Sequence, residues 1–249
     1  MAGALDGRKI AITGGSSGIG AATAEMLAAE GAEVVIGARR EDRLAELVER
    51  IEGAGGTAYA QRVDVADEES AREFVASAAK HMGGLDGLIN NAGVMLLGPI
   101  DGADTADWRR MVEVNMLGLL YCTHAALPIL REGGGDIVNI SSVAGRIASA
   151  GSGVYNLTKW GVGAFSEALR QETGWAKIRV TIVEPGWVDT ELQGHNKIPY
   201  VQETIKKLHD QIGKVLDADD IARAILYAVS QPEHVSVNEI LVRPTGQSR

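Results

Sequence analysis

Apolar residues recur along this chain in two alternating rhythms. Short runs rich in Val, Ile and Ala, at 9–13, 33–38, 58–63, 85–90, 136–141 and 179–184, have the length and near-continuous hydrophobicity of buried strands. Over 21–30, 43–51 and 70–81 the apolar residues instead fall three or four apart, the spacing of a helix with one face on a core. Longer helical patterns cover 108–127 and 154–173. A last helix is expected near 217–229, where acidic residues suit the positive end of the helix dipole, and a last strand around 237–243. This alternation predicts right-handed βαβ units in an α/β fold, a doubly wound parallel sheet with helices on both faces. No repeat, low-complexity tract or Gly/Pro-rich linker divides the chain, so residues 1–249 read as a single domain. The exception to the regular pattern is 186–214, which reads as irregular and mobile. A loop of that length inside a compact domain is usually functional, and 187–214 is expected to be a substrate lid.

Composition narrows the function classes. With 24 basic and 33 acidic residues the formal charge is −9, so no broad basic face is expected to attract nucleic acid or anionic lipid. Any phosphate site must be local. The single cysteine, Cys122, excludes an internal disulfide; it fits a reducing compartment and, in its apolar stretch, a buried inert thiol. The first residues lack a signal-peptide pattern, and no window approaches the ~18 uninterrupted apolar residues of a membrane helix. A soluble cytoplasmic protein is the expectation. The five histidines are scattered without metal-ligand spacing, so no metal is expected. Ser142 has no G-x-S-x-G setting, which argues against a serine hydrolase.

The first strand runs into Thr13-Gly14-Gly15-Ser16-Ser17-Gly18-Ile19-Gly20 and then directly into a helix. Glycine lets such a turn take positive φ and brings backbone N–H groups close to a phosphate. The helix N-terminus adds unpaired donors and partial positive charge. Strand, turn and helix together point to a dinucleotide site, although the same glycines would also serve a purely structural turn. An acidic residue ending the second strand would bind the ribose hydroxyls of NAD. Here Ala38 is followed by Arg39 and Arg40, whose guanidinium groups can pair with a 2′-phosphate, so NADP is the expected cofactor and NAD the alternative. The two arginines could instead pair with Glu41 and Asp42 at an exposed helix start.

Tyr155 and Lys159, four residues apart, share one helix face. A tyrosine is a poor base because its pKa is ~10, and a close ammonium favours the phenolate. Such a pair is also common on helix surfaces. Ser142, thirteen residues before Tyr155 and just past an apolar strand, adds weight to the chemical reading. Ligands of open parallel sheets bind at the carboxyl ends of strands, where a hydroxyl can donate to a carbonyl oxygen as negative charge develops. Ser141 competes for this role.

TGxxxGxG at 13–20, Asp64-Val65, Asn90-Asn91-Ala92-Gly93, Asn115, Ser142, Tyr155-x-x-x-Lys159 and Pro185-Gly186 occur in an order and spacing that resembles the short-chain dehydrogenase/reductase family over almost the whole chain. The resemblance implies a Rossmann-type fold and hydride exchange between NADP(H) and a small-molecule carbonyl or alcohol. It implies that Tyr155 is the acid/base, that Lys159 lowers its pKa and that Ser142 polarises the carbonyl. Gly14, Ser16, Ser17, Gly18, Ile19 and Gly20 would surround the phosphates. Asp64 and Val65 would contact the adenine. Asn91, Ala92, Gly93, Pro185, Gly186, Val188 and Thr190 would line the cofactor. Asn115 would position a water in a proton relay to Lys159; the residues alone suggest only a structural polar side chain in a helix. A dinucleotide sensor without turnover would be expected to lack Tyr155 or Lys159.

Gly37-Ala38-Arg39-Arg40, Glu184-Pro185-Gly186, residues 95–99 and Val242-Arg243-Pro244-Thr245 are similar to NADP-dependent 3-hydroxy acid dehydrogenases and clavulanic acid (clavaldehyde) reductases. Asn156 and Trp160 depart from the family pattern, which favours small residues there; Trp160 reads as core packing or a subunit contact. Family members are often homotetramers built through two long helices, here 105–130 and 154–173. By motif position Met95, Leu96, Val143, Ala144, Gly145, Trp187, Val188, His195 and Tyr200 are pocket candidates. They suit a medium, partly apolar substrate, and no Arg or Lys cluster among them calls for a strongly anionic one.

Overall fold

In the computed structural model, which describes residues 3–248, the short apolar runs are strands: β1 (Lys9–Thr13), β2 (Glu33–Ala38), β3 (Thr57–Arg62), β4 (Gly87–Asn90), β5 (Gly135–Ile140), β6 (Ile178–Pro185) and β7 (Glu239–Val242). They form one sheet in the order β3-β2-β1-β4-β5-β6-β7 with every neighbour parallel. The helices are α1 (Gly18–Ala29), α2 (Glu41–Gly53), α3 (Glu68–Met82), α4 (Thr105–Val112), α5 (Gly118–Gly133), α6 (Gly153–Thr173), α7 (Pro199–Ile212) and α8 (Ala218–Val229). The sheet is doubly wound, as the pattern predicted.

Period-2 alternation sorts the strand residues between two cores. Ile10, Ile12, Val34, Ile36, Val138 and Ile140 pack with Leu27, Leu44, Ile221 and Ile225 from α1, α2 and α8. Ala11, Val35, Leu88, Ile137 and Val180 face the other way, onto Phe74, Cys122, Leu130 and Leu169 from α3, α5 and α6. With both faces covered, the strands read as continuous apolar runs, and each fully buried aliphatic side chain contributes ~1.5–3 kcal/mol. Cys122 is buried as expected, and burial pushes its thiol up to about 12, so it is not a thiolate at neutral pH.

Two elements differ from the sequence pattern. The long helical pattern extends over Thr105–Gly133 and is broken by a π-helical segment, Glu113–Leu117, which carries Asn115. This helix is long and apolar enough by composition to cross a membrane, although no uninterrupted apolar window marks it in the sequence. Cys122, Ala126 and Leu130 pack it into the second core, the position of a layer helix. The stretch expected to be irregular instead holds a 3-10 turn, Glu191–His195, and the 14-residue α7. Pro199 starts α7, with φ already suited to the first helical position.

β1 connects onward to β2 on one side and is flanked by β4 on the other, so the crossover reverses between them. In open sheets the crevice at that reversal, beyond the carboxyl ends of the strands, is where ligands bind. The opposite end of the sheet is locked by charge. The buried Asp136 accepts from Arg8 at 2.7 Å and from Arg179 at 2.7 and 2.9 Å.

Candidate active site

The carboxyl ends of β1 and β4 are stitched together. Thr13 Oγ1 accepts from the backbone N–H groups of Asn91 and Ala92 at 3.1 and 3.2 Å, and Asn91 Nδ2 donates to the carbonyls of Thr13 and Gly14, both at 3.0 Å. This close approach explains two glycines. Gly14 sits at φ 69°, where a Cβ would lie 2.7 Å from Ala92 Cα, and a Cβ on Gly20 would lie 2.4 Å from the Gly14 carbonyl oxygen. Beside the turn, the N-terminus of α1 has no side-chain cap, so its first donors are left for a ligand.

A cleft of about 320 Å³ opens here. Gly14, Ser16, Ser17, Gly18 and Ile19 form one wall, and Arg39, Arg40, Asp64 and Val65 close the far end. Asn91, Ala92, Gly93, Pro185, Gly186, Val188 and Thr190 also line it. Gly20 is the one turn residue expected there that lies outside the cleft lining. Arg40 does not pair with Glu41 or Asp42. It donates to Ser16 Oγ at 2.9 Å and Ser17 Oγ at 2.8 Å, and pairs at 2.7 Å with Glu191 from the 191–195 turn. Arg43 pairs with the same carboxylate, and these guanidinium groups hold Glu191 down to about 2. Arg39 is exposed, with no ion pair among the described residues.

Tyr155 and Lys159 lie one turn apart on α6 at the inner end of the cleft, only 6% exposed each. Lys159 Nζ donates to the Ile140 carbonyl at 2.9 Å and stands 5.9 Å from the centre of the Tyr155 ring. The expected depression of the tyrosine pKa is not found in the chain by itself. Burial pushes the Tyr155 phenol up to about 12, partly opposed by its hydrogen bond with Ser142, and burial brings Lys159 down to about 8. Burial is the larger of the two influences, so the tyrosine is protonated at neutral pH.

Ser142 and Ser141 are told apart by their partners. Ser141 Oγ is buried and donates to the Lys159 carbonyl at 3.0 Å, a structural role. Ser142 opens a short 3-10 turn, Val143–Gly145, where its Oγ accepts from Ala144 N–H at 3.1 Å and donates to the Pro185 carbonyl at 3.5 Å, and the residue lines both the cleft and the neighbouring chamber. Asn115 is buried behind the site and does not line it. It accepts from Val94 N–H at 2.8 Å and donates to the Val94 carbonyl at 2.9 Å and to Thr158 Oγ1 at 3.2 Å, tying the strand end to α6.

The second cavity, about 600 Å³, meets the first at Ser142 and Tyr155. Met95, Val143 and Trp187 are among its lining residues, together with Val201, Ile205, Leu208 and Ile212 of α7. His195 lines the cofactor cleft instead of this chamber, and burial together with Arg110 and Arg40 lowers its pKa. Trp160 is 52% exposed on α6 and is therefore not a core residue.

The sequence model of the short chain dehydrogenase family matches residues 8–199. The chain belongs to this family. Among curated relatives, an uncharacterised oxidoreductase of Staphylococcus saprophyticus is 39% identical over 242 residues, covering 96% of each chain. A glycine betaine reductase of Emericella nidulans is 41% identical over 247 residues, but the chain spans only 19% of that protein's length. Among solved structures, a serine dehydrogenase complexed with NADP+ superposes with TM-score 0.88 at 32% identity over 96% of both chains. An alcohol dehydrogenase of Thermococcus sibiricus complexed with 5-hydroxy-NADP gives 0.86 at 28% identity, over 97% of this chain and 98% of that one.

Several residues of this dehydrogenase's site escaped sequence reasoning. Glu191 is one, since its partners Arg40 and Arg43 lie 151 and 148 residues away. Asn196 is another: its Oδ1 accepts from Leu97 N–H at 2.7 Å and ties the segment before α7 to the loop after β4. Gln247 accepts from Trp187 N–H at 2.8 Å and links the segment after β6 to the C-terminal segment. Asn156, singled out in the sequence only as a departure, donates to the carbonyls of Ala144 and Ile147, both at 2.8 Å, and accepts from Ser149 N–H at 3.2 Å.

Proposed function

We propose that this short-chain dehydrogenase is an NADP(H)-dependent carbonyl reductase, interconverting an aldehyde or ketone with its alcohol. The observation that carries the reading is the placement of Ser142 and Tyr155 where a polar, donor-lined cleft meets an apolar chamber. A dinucleotide fits the first cavity: α1 leaves its N-terminal donors uncapped, the glycine turn has no room for Cβ atoms, and Arg39 and Arg40 stand where a 2′-phosphate would be met. The NADP-bound serine and alcohol dehydrogenases that this chain resembles support the same cofactor.

When bound, NADPH supplies the hydride. The turn 14–19 would hold its phosphates, Arg39 and Arg40 the 2′-phosphate, Asp64 and Val65 the adenine, and Lys159 the ribose hydroxyls. Asn91, Ala92, Gly93, Pro185, Gly186, Val188 and Thr190 complete the cofactor wall. Ser142 and Tyr155 donate to the carbonyl oxygen, and Tyr155 gives up its proton as charge develops there. A phenol kept neutral by burial is in the protonated form that the reductive step consumes. Asn115 would position a water in the proton relay to Lys159, held in place by its bonds to Val94 and Thr158. Residues 187–214 act as the substrate lid. Leu157 and Trp160, 58% and 52% exposed on α6, support assembly as a homotetramer through the long helices.

Tyr155→Phe tests the mechanism. Turnover is expected to fall about 10²–10⁴-fold, the usual worth of a general acid, while NADPH binding measured by fluorescence is retained. Undiminished turnover would remove Tyr155 from the mechanism.

A further inference from the structure

We infer that the chamber beside Tyr155 takes a neutral carbonyl compound with an extended apolar tail, not an oxo acid or another charged molecule. The inference rests on the carbonyl reductase reading.

The first observation is the absence of charge. No Asp, Glu, Lys, Arg or His is among the described residues lining the chamber of about 600 Å³; its polar groups are hydroxyls and the amides of Asn156, Gln193, Gln211 and Gln247. Three cations outside the lining already have partners. Lys159 donates to the Ile140 carbonyl, Arg146 pairs with Glu184 and Glu239, and Arg40 pairs with Glu191. A carboxylate entering the chamber would lose its water without gaining a counter-ion, a cost that hydroxyls and amides do not offset. The chamber therefore departs from the 3-hydroxy acid dehydrogenases that the sequence resembles, whose substrates carry that carboxylate.

The second observation is the helix that roofs the chamber. Val201, Ile205, Leu208 and Ile212 fall on one face of α7 at helical spacing, yet only Val201 is buried and Leu208 is 44% exposed. An apolar stripe usually faces the core; this one faces the cavity, opposite Val143, Ile147 and Leu97. Only an apolar occupant removes that surface from water. Because the cavity is continuous with Ser142 and Tyr155, the occupant is the tail of the molecule whose carbonyl those hydroxyls hold.

The test is a series of straight-chain methyl ketones of increasing length, assayed with the intact enzyme and saturating NADPH. Matched chains ending in a carboxylate or a trimethylammonium group are run beside it. For the neutral series kcat/KM is expected to rise about fourfold per added methylene, the equivalent of ~0.8 kcal/mol per buried CH2, until the chamber is full. The charged counterparts fall at least tenfold below the neutral ketone of equal length. Leu208→Ser flattens the length dependence and leaves the Kd for NADPH unchanged. A series flat with length, or charged chains that match or exceed the neutral ones, overturns the substrate class while leaving the reductase reading intact. NADPH binding with no turnover of any carbonyl overturns both.

Discussion

At the scale of single residues, the site is a set of charges and hydroxyls whose states are set by burial. Lys159 is held down to about 8 and Tyr155 up to about 12, both by desolvation. Reduction needs a protonated Tyr155, satisfied over the whole working range, and a cationic Lys159. Reductive kcat/KM, which reports free-enzyme groups, should be level at neutral pH and fall about tenfold per pH unit above about 8, as Lys159 loses its proton. A profile level through pH ~10, the range of an unperturbed lysine, would mean that the Lys159 charge is not required. Glu191 gives a second prediction. It shares the guanidinium of Arg40, so Glu191→Gln should tighten NADPH binding about two- to fivefold and leave NADH unchanged, the scale of an exposed ion pair. Weaker NADPH binding in that variant would show that Glu191 aligns Arg40 instead of competing for it. The Tyr–Lys–Ser spacing was legible because it is local to one helix and one strand end. Glu191 was not, because nothing in a linear pattern links the 191–195 turn to the end of β2.

At the scale of elements, what the sequence revealed depends on what each element packs against. Strands buried on both faces and helices with one face on the sheet announce their period, and their boundaries shift by only a few residues at most ends. α7 was read as irregular because its apolar stripe meets a cavity while its flanks are dense with Lys206, Lys207 and other polar residues. In the loop after β5, Asn156 from α6 ties down residues 144–149, while Ser141 and Arg146 anchor it elsewhere. Asn156→Ala removes three hydrogen bonds to 144–149, so KM for the ketone should rise more than tenfold with NADPH affinity preserved. An unchanged KM would show that the loop holds itself. At the other end of the sheet, Arg179→Met leaves the buried Asp136 short of its bidentate partner. The expected cost is about 2–3 kcal/mol, or a Tm lower by about 5–10 °C, with activity at 25 °C retained. An unshifted Tm would mean that Arg8 suffices for Asp136.

At the scale of the whole molecule, one parallel sheet places two unlike cavities side by side at its carboxyl edge. The glycine turn, α1 and the arginines after β2 make one cavity suited to a phosphorylated dinucleotide; α7 and the loop after β5 line the other, for which an apolar carbonyl compound is proposed. The first was legible in motifs, because backbone geometry demands glycine and a 2′-phosphate demands cations at fixed places. The second was only outlined, since its walls come from segments brought together by the fold. The most direct measurement is the loss of NADPH absorbance with medium-chain aldehydes and ketones, with NADH run in parallel under the same conditions. The account predicts turnover with NADPH and much weaker turnover with NADH. Equal or faster rates with NADH would contradict the role given to Arg39 and Arg40, and with it the cofactor on which the account is built.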